Sequence, residues 1–148
     1  MRFSRGMTLR EFQTGTSEYA DALQLREAVL RAPLGLRLTD ADLADEAACR
    51  HIGGFDGARL IAVLLLHPLD AGTVKMRQVA VHPDFQKSGT GSRLMAFAEG
   101  VAKANGFTTM IAHARATALG FYQKAGYAVV GEEFIETTIP HRLVTKTL

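Results

Sequence analysis

Two glycines spaced two apart in Gln86-Lys87-Ser88-Gly89-Thr90-Gly91 lie between a β-like run ending at Val81 and an amphipathic run that begins near Ser92. A helix starting there has first-turn N–H groups without intrahelical partners, and its aligned peptide dipoles place partial positive charge at that end. Glycine removes the Cβ that would keep a ligand away and permits φ > 0, so successive N–H groups can converge on phosphate oxygens. Lys87 and Arg93 add cationic charge nearby. The stretch reads as a phosphate or pyrophosphate cradle, and equally as a surface turn that caps an ordinary helix.

Neither GxxxxGK[ST] nor GxGxxG after a strand occurs in the chain, which sets aside the two commonest nucleotide turns. What occurs is Q-x-x-G-x-G preceded by Val79-Ala80-Val81-His82-Pro83. That combination resembles the coenzyme-binding signature of the GCN5-related N-acetyltransferase (GNAT) family. The resemblance implies that the amides of Gln86, Lys87, Ser88, Gly89, Thr90, Gly91 and Ser92 hold the pyrophosphate of acetyl-CoA. It also implies that the backbone of Val79, Ala80 and Val81 aligns the pantetheine arm and thioester.

A second motif, Phe121-Tyr122-Gln123-Lys124-Ala125-Gly126-Tyr127, is similar to the family's F-Y-x-K-x-G-[FY]. There the tyrosine lies near the coenzyme sulfur, so Tyr122 is expected to protonate the departing thiolate, a task suited to a phenol. Phe121 belongs with the coenzyme-binding set and, like Tyr127, is expected to pack. Gly131-Glu132-Glu133-Phe134-Ile135-Glu136 with Ile139-Pro140-His141-Arg142 and Lys146-Thr147-Leu148 resembles the C-terminal end of the ElaA/YjcF-like subgroup, with Val144 where that tail has methionine.

Two departures bear on mechanism. Where many members carry a glutamate before V-A-V, this chain has Arg77, and a cation cannot serve as general base. Where an asparagine bonding pantetheine is common, it has Arg115, which suits a phosphate, an anionic acceptor or solvent. His113 is then the first candidate base, because imidazole titrates near the working pH. His141, Glu133 and Glu136 follow.

The supporting elements follow from pattern. Thr8-region residues Met7, Leu9 and Phe12 suit a first strand, and Ser17 with Glu18 opens a helix whose Ala22, Leu25 and Val29 share a face up to Pro33. Thr39-Asp40 caps a second helix expected to reach Cys49. His51 to Phe55 and Leu60 to His67 form a hairpin through Asp56-Gly57, and Thr73 to His82 is a further strand. In that strand Val74 and Met76 are apolar at even positions but Val79 and Val81 at odd ones, a phase change that a β-bulge produces. The resemblance implies that strands splay there to admit pantetheine.

Gly89 to Asn105 reads as a helix, Phe107 to Ala112 as a strand, and Thr117 as the cap of a helix through Lys124. Tyr127 to Phe134 and His141 to Thr147 complete the pattern, with Pro140 arguing against a strand through it. The fold class is α/β (α+β), a mixed, mostly antiparallel sheet with flanking helices, in one domain over residues 1–148.

Composition narrows the partners. Seventeen Lys/Arg against 15 Asp/Glu is too balanced for a nucleic-acid binder by charge alone, although residues from Lys75 onward hold nine bases against five acids. Cys49 is the single cysteine, so an intrachain disulfide is impossible, and five scattered histidines indicate no metal site. No apolar run reaches a membrane span, and Met1 to Gly6 lacks a signal-peptide core, so a cytoplasmic location is expected. The expected partners are acetyl-CoA and a small-molecule or peptide amine. The resemblance leaves a homodimer open through strand exchange or sheet extension. A coenzyme-binding domain without turnover is the alternative function.

Overall fold

The computed structural model describes residues 6–148; residues 1–5 of the leader lie outside that range. A seven-stranded sheet has the order β1-β2-β3-β4-β5-β7-β6. Its strands are β1 (Thr8–Phe12), β2 (Arg50–Asp56), β3 (Arg59–Pro68), β4 (Thr73–Val81), β5 (Thr109–Arg115), β6 (Ala128–Glu136) and β7 (Ile139–Thr147). Only β4 and β5 pair in parallel. The expected mixed, mostly antiparallel sheet is what forms.

Alternation along the central strands sends two hydrophobic sets to opposite faces. Leu64, Val74, Met76, Met110 and Ala112 pack with Leu94, Met95 and Ala98 of helix α3 (Thr90–Ala104). Leu60, Val63 and Ala80 pack with Ala22 and Leu25 of helix α1 (Ser17–Arg26). The sheet is thus covered on both sides, and the chemistry sits where the cover is incomplete.

Helix ends depart from expectation in instructive ways. Thr16, not Ser17, caps α1 by accepting from the Tyr19 N–H. The helix then continues as a π-turn over Glu27–Arg31 before Pro33 and the left-handed Gly35 end it. Thr39 and Asp42 form a capping box, yet helix α2 spans only Asp40–Leu43, and a separate 3-10 turn covers Glu46–Ala48. Thr117 caps nothing: it lies in a 3-10 turn, and α4 (Leu119–Lys124) has no side-chain cap.

Pro140 is a correction as well, since it pairs with Ile135 as the second residue of β7. The β5–β7 ladder begins only at His141, so Pro140 has a strand on one flank alone and its missing N–H is tolerated there. The β6–β7 turn is made by Thr137 and Thr138, both at positive φ. Among the described residues no helix is long and apolar enough to cross a membrane.

Candidate active site

The phase change in β4 is a bulge. Leu65 pairs with Arg77 and Val63 with Ala80, so β4 carries one extra residue across from β3, and Gln78 takes φ 58° within it. On the other side, β4 pairs with β5 only from Thr73–Thr109 to Met76–Ala112. Both strands run on, β4 to Val81 and β5 to Arg115, without pairing with each other. Backbone donors and acceptors beyond Met76 are left facing a gap.

The gap opens into a cavity of about 1280 Å³ lined by β4, β5, the turn before α3, α4 and the end of α1. Its wall includes Val79, Val81, Gln86, Lys87, Gly89, Gly91 and Ser92. Lys87 and Gly89 both have positive φ, at 61° and 82°, and Gly89 is the N-cap of α3 with no side-chain cap bond. The space where a Cβ of Gly89 would stand is open for 4 Å. Gly91 serves differently, because a Cβ there would meet the Phe121 ring at 3.3 Å. The uncapped amides and the open glycine face fit a pyrophosphate group.

Three of the residues expected at the coenzyme put no side chain into the cavity wall. Ala80 is buried against the α1 side of the sheet and its side chain is not in the cavity wall. Ser88 turns inward, donating to the Phe85 carbonyl at 2.5 Å and meeting Thr90 Oγ1 at 3.0 Å, while Thr90 is itself buried. Their side chains hold the turn, leaving only backbone amides for a ligand. Gln86 does likewise, donating from Nε2 to the Val81 carbonyl at 2.9 Å.

Tyr122 reaches the cavity from α4 while remaining 7% exposed, with Phe121 and Tyr127 edge-on to its ring. Burial pushes its pKa up to about 12, against the nearby Arg115 guanidinium. The phenol therefore keeps its proton throughout the neutral range. Tyr127 is a packing residue, as expected, with its hydroxyl on Glu99 at 2.8 Å.

Two histidines converge on one carboxylate. His113 Nδ1 donates to Glu136 Oε1 at 2.9 Å, and Lys75 Nζ lies 3.3 Å from the same nitrogen. His141 Nε2 stands 3.7 Å from Glu136 Oε2, and its Nδ1 donates to the Ile139 carbonyl at 2.9 Å. Burial alone would raise the Glu136 pKa, but the His113 hydrogen bond and the charges of both imidazoles and Lys75 hold it below the ordinary value. Burial lowers the Lys75 pKa, against the pull of Glu136. Glu133, the remaining candidate base, is exposed and outside the cavity wall.

Arg77 points into the same cavity and is engaged. It donates to His67 Nδ1 at 2.6 Å and to Asp45 Oδ2 at 3.1 Å. The potential ligand atoms of Asp45, Cys49 and His67 lie within 4.8 Å of one another, but this guanidinium occupies two of them and the group does not suit a divalent ion. Arg115 donates to the Leu30 carbonyl at 2.7 Å, which ties β5 to the end of α1.

Several contributors were not singled out from sequence. Lys75, His67 and Arg31 give no local signal, because only the fold brings them to the cavity. Gln78 had one: it stands at the phase change. Its Oε1 is buried without a hydrogen-bond partner, an acceptor positioned at the gap. Glu46 is 1% exposed and held by Arg26.

Several known proteins resemble this chain in sequence or fold. YyaT of Bacillus subtilis is 36% identical over 76 residues, 51% of each chain, so the match spans about half of that protein. YjcF of the same organism, described as an uncharacterized N-acetyltransferase, is 28% identical over 127 residues, 85% of this chain and 90% of its own. A GNAT family acetyltransferase from Elizabethkingia anophelis, solved with acetyl-CoA bound, superposes with TM-score 0.75 at 19% identity, covering 96% of this chain and 98% of that one. The model of the acetyltransferase (GNAT) family matches residues 16–127, and the chain belongs to that family.

Proposed function

We propose that the chain transfers an acetyl group from acetyl-CoA to a primary amine by direct attack of the amine on the thioester. The observation that carries this reading is the parting of β4 from β5 beside the uncapped N-terminus of α3. The amides from Gln86 to Ser92 bind the pyrophosphate, with Lys87 and Lys124 adding charge from the cavity wall. The backbone from Val79 to Val81, which has no partner on the β5 side, aligns the pantetheine arm, and Gln78 Oε1 accepts from one of its amides. The acetyl-CoA held by the Elizabethkingia anophelis relative supports the choice of coenzyme.

The chain's own residues move two protons. A histidine at Glu136 takes one from the acceptor ammonium, freeing the nitrogen lone pair to form the C–N bond. Tyr122 donates its phenolic proton to the sulfur as the C–S bond breaks, and the second proton lost by the nitrogen restores the phenol directly or through solvent, leaving an amide and free coenzyme A. Of the two histidines, the geometry favours His141. Its Nδ1–H is committed to the Ile139 carbonyl, so in the neutral ring Nε2 carries the lone pair, and Glu136 stabilises the imidazolium. A positive charge on the His113 ring would stand beside the Lys75 ammonium, 3.3 Å from Nδ1, and is opposed by it.

Arg77 in the usual place of a carboxylate favours a second reading, a coenzyme-binding domain without turnover. The test is calorimetric titration with acetyl-CoA, followed by thiol release over a panel of primary amines. Binding with amine-dependent thiol release supports transfer. Binding without release from any amine supports the second reading, and no binding by the folded protein overturns both.

A further inference from the structure

We infer that Arg31 and Arg115 form an oxyanion subsite, so that the acceptor is a small primary amine carrying a carboxylate or phosphonate group. The inference rests on the acetyltransferase reading above and adds the acceptor's chemistry.

The two guanidiniums meet on one carbonyl. Arg115 Nη2 donates to Leu30 O at 2.7 Å, and Arg31 Nη1 approaches the same oxygen at 3.5 Å. Both side chains line the cavity, and Arg31 is only 8% exposed. A guanidinium has five donors, and a single neutral carbonyl leaves most of them unused. Among the described residues neither arginine has a carboxylate within ion-pair distance. Burial lowers the Arg115 pKa first, and the positive charge of Arg31 lowers it further. Two like charges held together at a partly buried wall favour the arrival of an anion.

The rest of the cavity does not supply that anion. Its three carboxylates are committed elsewhere: Asp42 to the Thr39 capping box, Asp45 to Arg77, and Glu136 to His113. Asp42 senses the charge of Arg31 yet bonds Thr39. Six lysines and arginines face those three acids in the wall. Setting Lys87 and Lys124 aside for the coenzyme phosphates still leaves the acceptor half with an excess of cations.

Position separates this pair from the pyrophosphate. Met110, Ala112 and Ala114 of β5 point into the core with α3, so Arg115 leaves the strand on the opposite face. Arg115 lines the same cavity as Tyr122, the residue that the proposed mechanism sets at the thioester sulfur. An amine tethered to an oxyanion there has its nitrogen beside His141, the residue paired with Arg115 across the sheet.

The test uses product-like probes, so it does not depend on turnover. The protein is first titrated with coenzyme A, and failure at that step counts against the acetyltransferase reading. The complex is then titrated with N-acetylglycine, N-acetylaminomethylphosphonate and neutral N-acetylglycinamide. The subsite predicts that at least one anionic probe binds about tenfold or more tighter than the amide. Arg31→Gln should abolish that preference and Arg31→Lys retain part of it, with coenzyme affinity unchanged in both. The carboxylate and phosphonate arms identify which oxyanion is preferred. Coenzyme binding with no preference for either anion, or a preference that survives Arg31→Gln, overturns the inference alone.

Discussion

His141 and Arg115 are directly paired across the β5–β7 ladder, so both side chains leave the sheet on one face. An imidazole and a guanidinium are thereby held side by side at the mouth of the gap between β4 and β5. His113 lies two residues back along β5, paired with Leu143, and shares the Glu136 carboxylate. In the proposed mechanism this arrangement supplies the base, with Arg77 at the position where many family members carry one.

His141→Gln should lower kcat by about 10²- to 10⁴-fold, the usual worth of a general base, while leaving the Kd for acetyl-CoA unchanged. His113→Gln should cost less, because the Lys75 ammonium beside its Nδ1 opposes a positive charge on that ring. Stopped assays of thiol release across pH decide the matter. A deeper loss in the His113 variant would move the role to that ring.

Tyr122→Phe keeps the ring that packs edge-on to Phe121 and Tyr127 and removes only the hydroxyl. Turnover should fall about 10²-fold or more with little change in coenzyme affinity. Since burial holds the phenol pKa near 12, the group stays protonated through neutral and mildly alkaline pH. An alkaline decline below pH about 9 in the wild type should therefore persist in the variant. Unchanged turnover would remove Tyr122 from the chemistry.

The parts legible in the sequence were those whose signal is local. The glycine turn, the phase change from Met76 to Val79 and the Phe121–Tyr122 motif each sit within a few residues, and the structure assembles them around one gap. Other features depend on contacts across the chain. Arg115 reaches the Leu30 carbonyl over 85 residues, and Arg26 reaches Glu46 over 20. No periodicity encodes such pairings. Pro140 misled for a related reason, since its tolerance depends on which flank of β7 has a partner.

Gly89→Glu should abolish detectable acetyl-CoA binding by calorimetry. Two effects act together: an L-residue at φ 82° is strained by about 1–2 kcal/mol, and a carboxylate at the α3 N-terminus repels phosphate. Gly89→Ala separates them, because its Cβ meets nothing within 4 Å and carries no charge. It should retain measurable affinity. Equal loss in both variants would assign the effect to backbone strain and leave the phosphate cradle unsupported.

The cover of the α1 face rests on a buried ion pair. Arg26 Nη1 and Nη2 donate to the two Glu46 oxygens at 2.7 and 2.6 Å, and the Tyr19 hydroxyl donates to Oε1 at 2.7 Å. Both charged side chains are 1% exposed. Glu46→Ala strands the guanidinium and should destabilise the fold by about 3–5 kcal/mol in urea unfolding, whereas an Arg26→Met, Glu46→Leu double variant should lose much less. The Glu46 pKa is lowered: burial opposes the shift, but the hydrogen bonds from Arg26 and Tyr19 and the Arg26 charge outweigh it. A carboxyl depressed in the folded state stabilises fully above its unfolded value, and that stability is lost as pH falls through the folded value. The wild type should therefore weaken below the ordinary carboxylate range more steeply than the double variant. Parallel pH curves for the two proteins would show that this pair does not govern acid unfolding.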